Sequence, residues 1–155
     1  MIETVCTQLD ALMPLIKECL EAGKSVHFSP KGTSMMPMLR PEKDSVILSP
    51  APQRLKKYDL PLYRRNNGMY VLHRIVKVKD TYTCMGDHQF VEEKGIEHRQ
   101  IIGVVTAFYR DGKRHCVRGL GYCLYCLFWY HSRGIRRFFV RARNFLRRCL
   151  HKKSS

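Results

Sequence analysis

Apolar residues recur at every third or fourth position near the beginning of the chain, over residues 2–22. This spacing places them on one face of a helix and predicts an amphipathic helix. Gly23 follows directly, in a position where glycine commonly ends a helix. We therefore assign residues 1–24 to an N-terminal helix. Its apolar positions are Ile2, Val5, Cys6, Leu9, Leu12, Met13, Ile16, Cys19 and Leu20.

Short runs of β-like composition fill the middle of the chain and are separated by turn residues. Asn67-Gly68 and Asp111-Gly112 are typical of tight hairpin turns. Pro61 predicts that the run containing it is an edge strand or is interrupted there. Several closely spaced strands after one helix predict a mostly-β fold of the α+β class, with a β domain over residues 25–117. The runs cover residues 25–28, 44–48, 60–65, 70–78, 81–85 and 101–110.

Helical spacing returns in the last part of the chain, over residues 118–155. The apolar run at residues 119–130 is too short to span a bilayer. From Arg133 onward, apolar residues recur at helical spacing and arginines fill most positions between them, which predicts a strongly basic amphipathic helix. We therefore expect a helical appendage over residues 118–155. The apolar positions of its basic helix are Ile135, Phe138, Phe139, Ala142, Phe145, Leu146, Cys149 and Leu150.

The net charge of +15 is concentrated in this C-terminal part. Residues 110–155 contain 13 of the 28 lysines and arginines and a single acid, Asp111. A basic stripe beside phenylalanines is typical of a helix that lies on an anionic membrane surface. The alternative is a helix packed on the domain with its arginines in water. Because no nucleic-acid recognition motif accompanies the charge, we expect no nucleic-acid partner.

The cysteines and the first residues bear on location and on metal binding. Seven cysteines without framework spacing, and a first segment without a basic secretory leader, predict a reducing cytoplasmic location, peripheral to the inner membrane face at most. The single pair Cys123 and Cys126 would need further ligands, such as His131, Cys149 or His151, to hold zinc. Its apolar neighbours favour buried or lipid-facing thiols, so we expect neither a metal nor a cofactor.

The segment FSPKGTSMMPML contains the first candidate for chemistry, Ser34, after a glycine turn and before two methionines. A serine hydroxyl needs a base to act as a nucleophile at neutral pH. His73 is a candidate base, because it shares a predicted strand face with Val71 and Ile75 and burial there favours the neutral imidazole. Asp87 follows a strand in the segment MGDH, where a carboxylate could orient the imidazole or hold the loop.

Four segments in this order, GTSMMPML, YVLHRIV, MGDH and IIGVV, resemble the serine peptidases of the S24/S26 families. These families include type I signal peptidases and LexA-like self-cleaving repressors. The resemblance covers residues 25–110. The histidine of the second segment is similar to that of the branch found in archaea and in the endoplasmic reticulum. The resemblance implies a compact β-rich fold with a shallow groove at one edge.

Catalytic roles follow from the resemblance alone. It implies that Ser34 is the nucleophile, that His73 is the general base and that Asp87 is the carboxylate that supports the histidine. A further acid of the histidine-bearing branch falls a few residues later, where this chain has Glu92 and Glu93. Which of the three acids supports the base stays open at this point.

The surroundings of the nucleophile also carry expectations. Gly32 and Gly86 are expected to support the oxyanion loop, with the N–H of Ser34 itself facing the oxyanion. Met35 and Met36 are expected to line the substrate groove, although either could belong to the core. Substrates of the family bind as an added strand.

The sequence therefore predicts a signal-peptidase-like serine endopeptidase that cleaves a peptide or precursor protein through a Ser–His dyad. Two departures favour an alternative, a non-catalytic peptide-binding or recruitment module on the same fold. His88 stands where the family usually has asparagine. In addition, no apolar run could serve as the transmembrane anchor of a true signal peptidase.

Overall fold

The computed structural model describes the backbone of residues 3–152 and, within that range, the side chains of residue 9 and residues 11–143. Three α-helices and two antiparallel sheets make up this part of the chain, which confirms the predicted α+β class. Seven apolar positions predicted for the helices lie outside the described side chains: Ile2, Val5, Cys6, Phe145, Leu146, Cys149 and Leu150.

The first helix, α1, runs over Glu3–Glu21 and packs against the first and fourth strands. It ends through Gly23, whose φ of 73° is a left-handed conformation that glycine adopts without strain. Leu12, predicted for the apolar face, is 51% exposed. The buried positions of the helix are Met13, Ile16 and Leu20.

Nine strands follow in the described residues, and two more helices come after them. The strands are β1 (Val26–Phe28), β2 (Ser45–Ser49), β3 (Pro61–Arg64), β4 (Tyr70–Leu72), β5 (Arg74–Val78), β6 (Tyr82–Met85), β7 (Glu93–Ile96), β8 (Ile101–Arg110) and β9 (Lys113–Cys116). A short 3-10 helix, His98–Gln100, precedes β8. The last helices are α2 (Leu120–His131) and α3 (Arg133–Lys152).

The larger sheet has the strand order β1-β2-β8-β3-β4, and β9 pairs with the far end of β8. The smaller sheet has the order β5-β6-β7. The chain passes from one sheet to the other at His73, the single residue between β4 and β5. The strand predicted over residues 70–78 is therefore two strands, and the candidate base lies at the junction of the two sheets.

Pro61 begins β3, which lies between β8 and β4 and is not an edge strand. Of the two alternatives predicted for this run, the edge strand was therefore wrong, and the strand instead begins at Pro61. A proline is accommodated here because it is the first residue of the strand, and there its missing N–H costs least.

Two clusters of buried apolar residues hold the sheets and α1 together. The first joins α1 to the larger sheet and includes Met35, Met38 and Leu39 from the turn that carries Ser34. The second surrounds Tyr63 and Ile75, where the two sheets meet. The turn with the candidate nucleophile and the junction with the candidate base are thus both built on the core.

Each helix in the described range is too short or too polar to cross a lipid bilayer.

Candidate active site

Ser34 lies in a tight turn that its neighbours fasten to the core. The N–H of Met36 donates to the carbonyl of Thr33 at 3.1 Å, and Met35 and Met38 are buried beneath the turn. On the other side, Nη2 of Arg110 donates to the carbonyl oxygens of Pro37 and Met38, both at 2.7 Å. Ser34 itself is half-buried. The turn therefore presents the serine at the surface from a fixed backbone.

Asp44 anchors this arrangement from inside the protein. Its buried carboxylate accepts hydrogen bonds from the side chains of Arg40, at 2.9 and 2.7 Å, and Arg110, at 3.1 and 2.9 Å. Burial alone would raise the pKa of Asp44, but the hydrogen bonds from the two arginines outweigh it and lower the pKa to about 2. The charged carboxylate holds Arg110 in position to bind the turn.

Gly86 brings the candidate nucleophile and the candidate base together. A Cβ atom added at Gly86 would lie 3.1 Å from Ser34 Cβ and 3.1 Å from His73 Nε2. Ser34 Cβ and His73 Nε2 are therefore separated by no more than twice 3.1 Å. The same Cβ would lie 2.6 Å from the carbonyl oxygen of Ser34, so no larger residue fits without a backbone shift. The N–H of His88 donates to that carbonyl at 2.8 Å and ties the two loops together.

Ser34 has two polar groups that a nucleophilic mechanism would use, its backbone N–H and its side-chain hydroxyl. In the part of the chain that the structure describes, neither its N–H nor its hydroxyl takes part in a hydrogen bond, and the dyad is adjacent but not bonded. Catalytic hydrogen bonds are often long in a free enzyme and shorten when substrate binds. A free N–H beside a free serine hydroxyl is the arrangement that an oxyanion donor requires.

Glu93 contacts the opposite nitrogen of the imidazole. Nδ1 of His73 lies 3.1 Å from Glu93 Oε1 and 3.3 Å from the Tyr63 hydroxyl, which itself donates to Glu93 Oε2 at 2.9 Å. A carboxylate can only accept, so the proton of a neutral His73 resides on Nδ1. Nε2, the nitrogen that faces Ser34 across Gly86, is then unprotonated and able to accept a proton.

The charge of Glu93 is secured by its other partners. Burial alone would raise its pKa, but hydrogen bonds from His73, Arg65 and Tyr63 hold the pKa of Glu93 well below its usual range. Burial raises the pKa of the Tyr63 phenol, so Tyr63 stays a neutral donor. Glu93 is therefore an ionised carboxylate over the whole physiological range. It can orient His73 and stabilise the imidazolium that forms when the base takes a proton.

Asp87 has the second of its two predicted roles. Its buried carboxylate accepts from Arg74, with Nε at 2.8 Å and Nη2 at 2.7 Å, and from the Tyr125 hydroxyl at 3.0 Å. The orienting role predicted for Asp87 is corrected, because these donors occupy its oxygens while Glu93 takes Nδ1 of His73. Asp87 holds the loop in place by pairing with the buried guanidinium of Arg74.

Side chains of α2 and α3 also hold the loop at Asp87. The sequence analysis did not predict these contacts. Nε1 of Trp129 and Nη1 of Arg136 donate to the carbonyl oxygen of Asp87 at 2.7 and 3.1 Å. Arg133 donates to Glu92 at 2.6 Å, and Lys77 pairs with the same carboxylate at 3.0 Å.

The signal in the sequence was the spacing of Tyr, Tyr and Trp at residues 122, 125 and 129, which puts three polar-tipped aromatic rings on one helix face.

The structure also describes four other residues near the nucleophile: Gly32, Met35, Met36 and His88. Met35 is buried in the core, with 3% of its surface exposed, so it cannot line a groove; Met36 is half-buried and stays a candidate. Gly32 is exposed, its added Cβ would meet nothing within 4 Å, and its φ needs no glycine. The side chain of His88 is exposed, so the contribution of this residue to the site is its backbone N–H.

A second Ser–His pair lies on the larger sheet. His27 Nε2 and Ser45 Oγ are 2.6 Å apart on the neighbouring strands β1 and β2. His27 is exposed, and in the described residues no carboxylate pairs with its ring. This pair therefore lacks the ionised acid that fixes the tautomer of His73.

The environment of Cys126 does not suit a metal. Its thiol is buried, and its Sγ accepts from Nη1 of Arg74 at 2.9 Å. A fixed guanidinium at this distance opposes a second cation. Across the described side chains, no three His, Cys, Asp or Glu residues cluster in a way that could hold a metal ion.

Comparisons of this chain with family models, with curated proteins and with solved structures found no match.

Proposed function

We propose that this chain is a serine endopeptidase of the signal-peptidase-like S24/S26 type, which cleaves a peptide or a precursor protein. In this proposal Ser34 is the nucleophile, His73 is the general base and Glu93 orients the base. The observation that supports this proposal is that the two ring nitrogens of His73 have different partners. Nδ1 contacts an ionised carboxylate, and Nε2 faces Ser34 across the space that Gly86 leaves open.

The chemistry follows from these positions. Ser34 Oγ attacks the carbonyl carbon of the scissile peptide bond while its proton passes to His73 Nε2. The free N–H of Ser34 stabilises the oxyanion, and such a donor contributes about 3–4 kcal/mol to transition-state binding. His73 then gives the proton to the leaving amine, which departs and leaves an acyl-enzyme. Water, deprotonated by His73, hydrolyses the ester and restores the serine.

A second function is favoured by one observation, the absence of a Ser34–His73 hydrogen bond within the described residues. A chain that binds peptides without cleaving them needs the groove but not the bond. This alternative is a peptide-binding or recruitment module on the same fold. For either function we propose a cytoplasmic location, peripheral to the inner membrane face at most.

A fluorophosphonate probe distinguishes the two functions, because it reacts only with an activated serine. We expect the full chain to be labelled at Ser34, as identified by mass spectrometry of the digested adduct. Ser34→Ala and His73→Gln should abolish labelling and keep the circular dichroism spectrum of the parent. Ser45→Ala is the matched control, because it removes the serine of the exposed Ser–His pair and should leave labelling unchanged.

Folded protein that is not labelled would remove the peptidase proposal and leave the binding module. Labelling that survives in Ser34→Ala but not in Ser45→Ala would move the reactive serine to the larger sheet.

A further inference from the structure

The two C-terminal helices each have one face bonded to the β domain and one face turned away from it. The inner face of α2 is formed by Tyr122, Tyr125, Cys126 and Trp129, which bond to Arg74 and to the Asp87 loop. The outer faces contain large apolar side chains that are 47–69% exposed. These side chains, here called the tail apolar surface, are Leu124, Leu127, Phe128, Ile135, Phe138 and Phe139.

In α3 the usual orientation of an amphipathic helix is reversed. Such a helix normally packs its apolar stripe against the protein and leaves its charges in water. Here Arg136 contacts the domain, because its Nη1 donates to the Asp87 carbonyl at 3.1 Å while its guanidinium carbon lies 3.8 Å from the centre of the Trp129 ring of α2. By contrast, Ile135, Phe138 and Phe139 are 65–68% exposed. The arrangement expected for a helix simply docked on the domain is therefore not present in the described part of α3.

The charge around the tail apolar surface indicates what covers it. The sequence from residue 118 onward contains no Asp or Glu. Arg137, Arg141 and Arg143 are exposed on α3, next to the exposed phenylalanines. Within the described residues these arginines have no carboxylate partner. Apolar rings beside such arginines match a surface with anionic groups above an apolar interior, which is the profile of an anionic lipid bilayer.

We propose that α2 and α3 dock this protein on an anionic lipid bilayer, with the tail apolar surface inserted among the lipids and the exposed arginines at the headgroups. This proposal does not depend on the peptidase proposal. It has a geometric consequence, because the inner face of the same helices bonds the loop at Asp87, next to Gly86. The Ser34 site would lie about one helix diameter, roughly 10 Å, from the lipid surface.

The test is co-sedimentation of the full chain with lipid vesicles. We expect binding to vesicles of phosphatidylcholine mixed with phosphatidylglycerol, weaker binding to phosphatidylcholine alone, and a decrease as salt is raised. Phe138→Ser with Phe139→Ser should weaken binding by roughly tenfold or more for each ring. Arg137→Gln with Arg141→Gln should weaken it by roughly fivefold for each charge.

Matched controls lie elsewhere on the chain. Leu15→Gln removes an apolar side chain that is 58% exposed on α1, and Lys113→Gln with Arg114→Gln removes two exposed charges on β9. Both controls should bind like the parent. Equal binding to neutral and anionic vesicles, or equal losses in the controls, would overturn the proposal. It would also be overturned by a folded chain that binds no vesicles and self-associates through Phe138 and Phe139 in analytical ultracentrifugation.

Discussion

His73 has a different environment at each of its two ring nitrogens, and the whole candidate site depends on that asymmetry. Glu93 faces Nδ1, whereas Gly86 leaves room for Ser34 on the side of Nε2. A neutral imidazole has one donor and one acceptor, so the partner on one nitrogen decides what the other can do. The carboxylate of Glu93 thereby determines that the nitrogen beside the serine is the acceptor.

Glu93→Gln should therefore lower the rate of fluorophosphonate labelling about 10²–10⁴-fold, because an uncharged amide neither fixes the tautomer nor stabilises the imidazolium. Glu92→Gln is the matched control, since the neighbouring carboxylate bonds Arg133 and Lys77 and not the histidine. The measurement is the second-order labelling rate of both variants between pH 5 and 9. If Glu92→Gln loses as much activity as Glu93→Gln, the assignment of the orienting acid is wrong.

Gly86 supports a second prediction at this scale. Gly86→Ala should abolish labelling, because its Cβ would overlap the Ser34 carbonyl and push Ser34 away from His73. Gly32→Ala, two residues before the nucleophile, should keep both labelling and the melting temperature, since its Cβ enters open space. Both rates are measured with the same probe at a temperature where each variant is folded by circular dichroism. A labelled Gly86→Ala protein would show that the two loops are not in contact in solution.

The motifs of the sequence made Ser34 and His73 the candidate nucleophile and base, but the sequence could not choose among the three candidate acids. Glu92 and Glu93 are adjacent, and adjacent residues in a strand point to opposite faces. Choosing between them requires knowing which residues of β7 point to which face of the sheet. The sequence of β7 does not show this, because its apolar and polar residues do not alternate. The role of Asp87 depends on Arg74, which follows the base directly and has its guanidinium buried by α2.

At the scale of elements, the turn that presents Ser34 depends on one buried carboxylate in the loop before β2. Asp44 binds Arg40 and Arg110, and Arg110 extends from the end of β8 to the turn carbonyls of Pro37 and Met38. Strand β8 thus contributes to the position of the nucleophile although Arg110 lies 76 positions after Ser34 in the sequence.

The lowered pKa of Asp44 gives this clamp a defined pH dependence. A group whose pKa falls from 3.8 to about 2 on folding stabilises the protein above pH 3.8, and this contribution disappears as the pH falls toward 2. Asp44→Asn should lower the free energy of unfolding by about 2 kcal/mol at neutral pH, and the difference from the parent should close between pH 4 and 2. Urea unfolding followed by circular dichroism at several pH values measures it.

Asp111→Asn is the matched control, because Asp111 also pairs with Arg40 but its side chain is 73% exposed. Its free energy of unfolding should change by less than about 0.5 kcal/mol. A difference between Asp44→Asn and the parent that persists unchanged at pH 2 would contradict the link between the carboxylate charge and the fold.

Element boundaries were predictable wherever burial produced a pattern. The first helix and the six predicted strand runs correspond to elements of the structure, because each has an apolar face or a clear turn beside it. The strands β7 and β9 were missed, since the first is polar with a glycine at φ 76° and the second is exposed throughout. The division of residues 70–78 into two strands was also not predicted; the polar His73 and Arg74 lie at the junction, and both are buried like the apolar residues on either side.

At the scale of the whole molecule, the placement of the C-terminal helices could not be read from hydrophobicity. The amphipathic pattern of α3 indicates a helix but not which face meets the domain. Here polar contacts determine the orientation of α3, because Arg133 donates to Glu92 and Arg136 donates to the Asp87 carbonyl. The rings of Phe138 and Phe139 stay exposed. The hydrophobic pattern of a helix shows that one of its faces is apolar. It does not show whether the rest of the chain covers that face or leaves it exposed, as it leaves Phe138 and Phe139.

The indole of Trp129 has a use beyond holding the loop. It is the only tryptophan of the chain, its N–H bonds the backbone of Asp87, and a guanidinium lies over its ring. When tryptophan is excited selectively over the eight tyrosines, the emission of the unmodified protein therefore arises from a single indole that touches the loop next to the serine. A peptide that displaces this loop would shift the emission spectrum, so ligands could be screened optically before any cleavage assay exists.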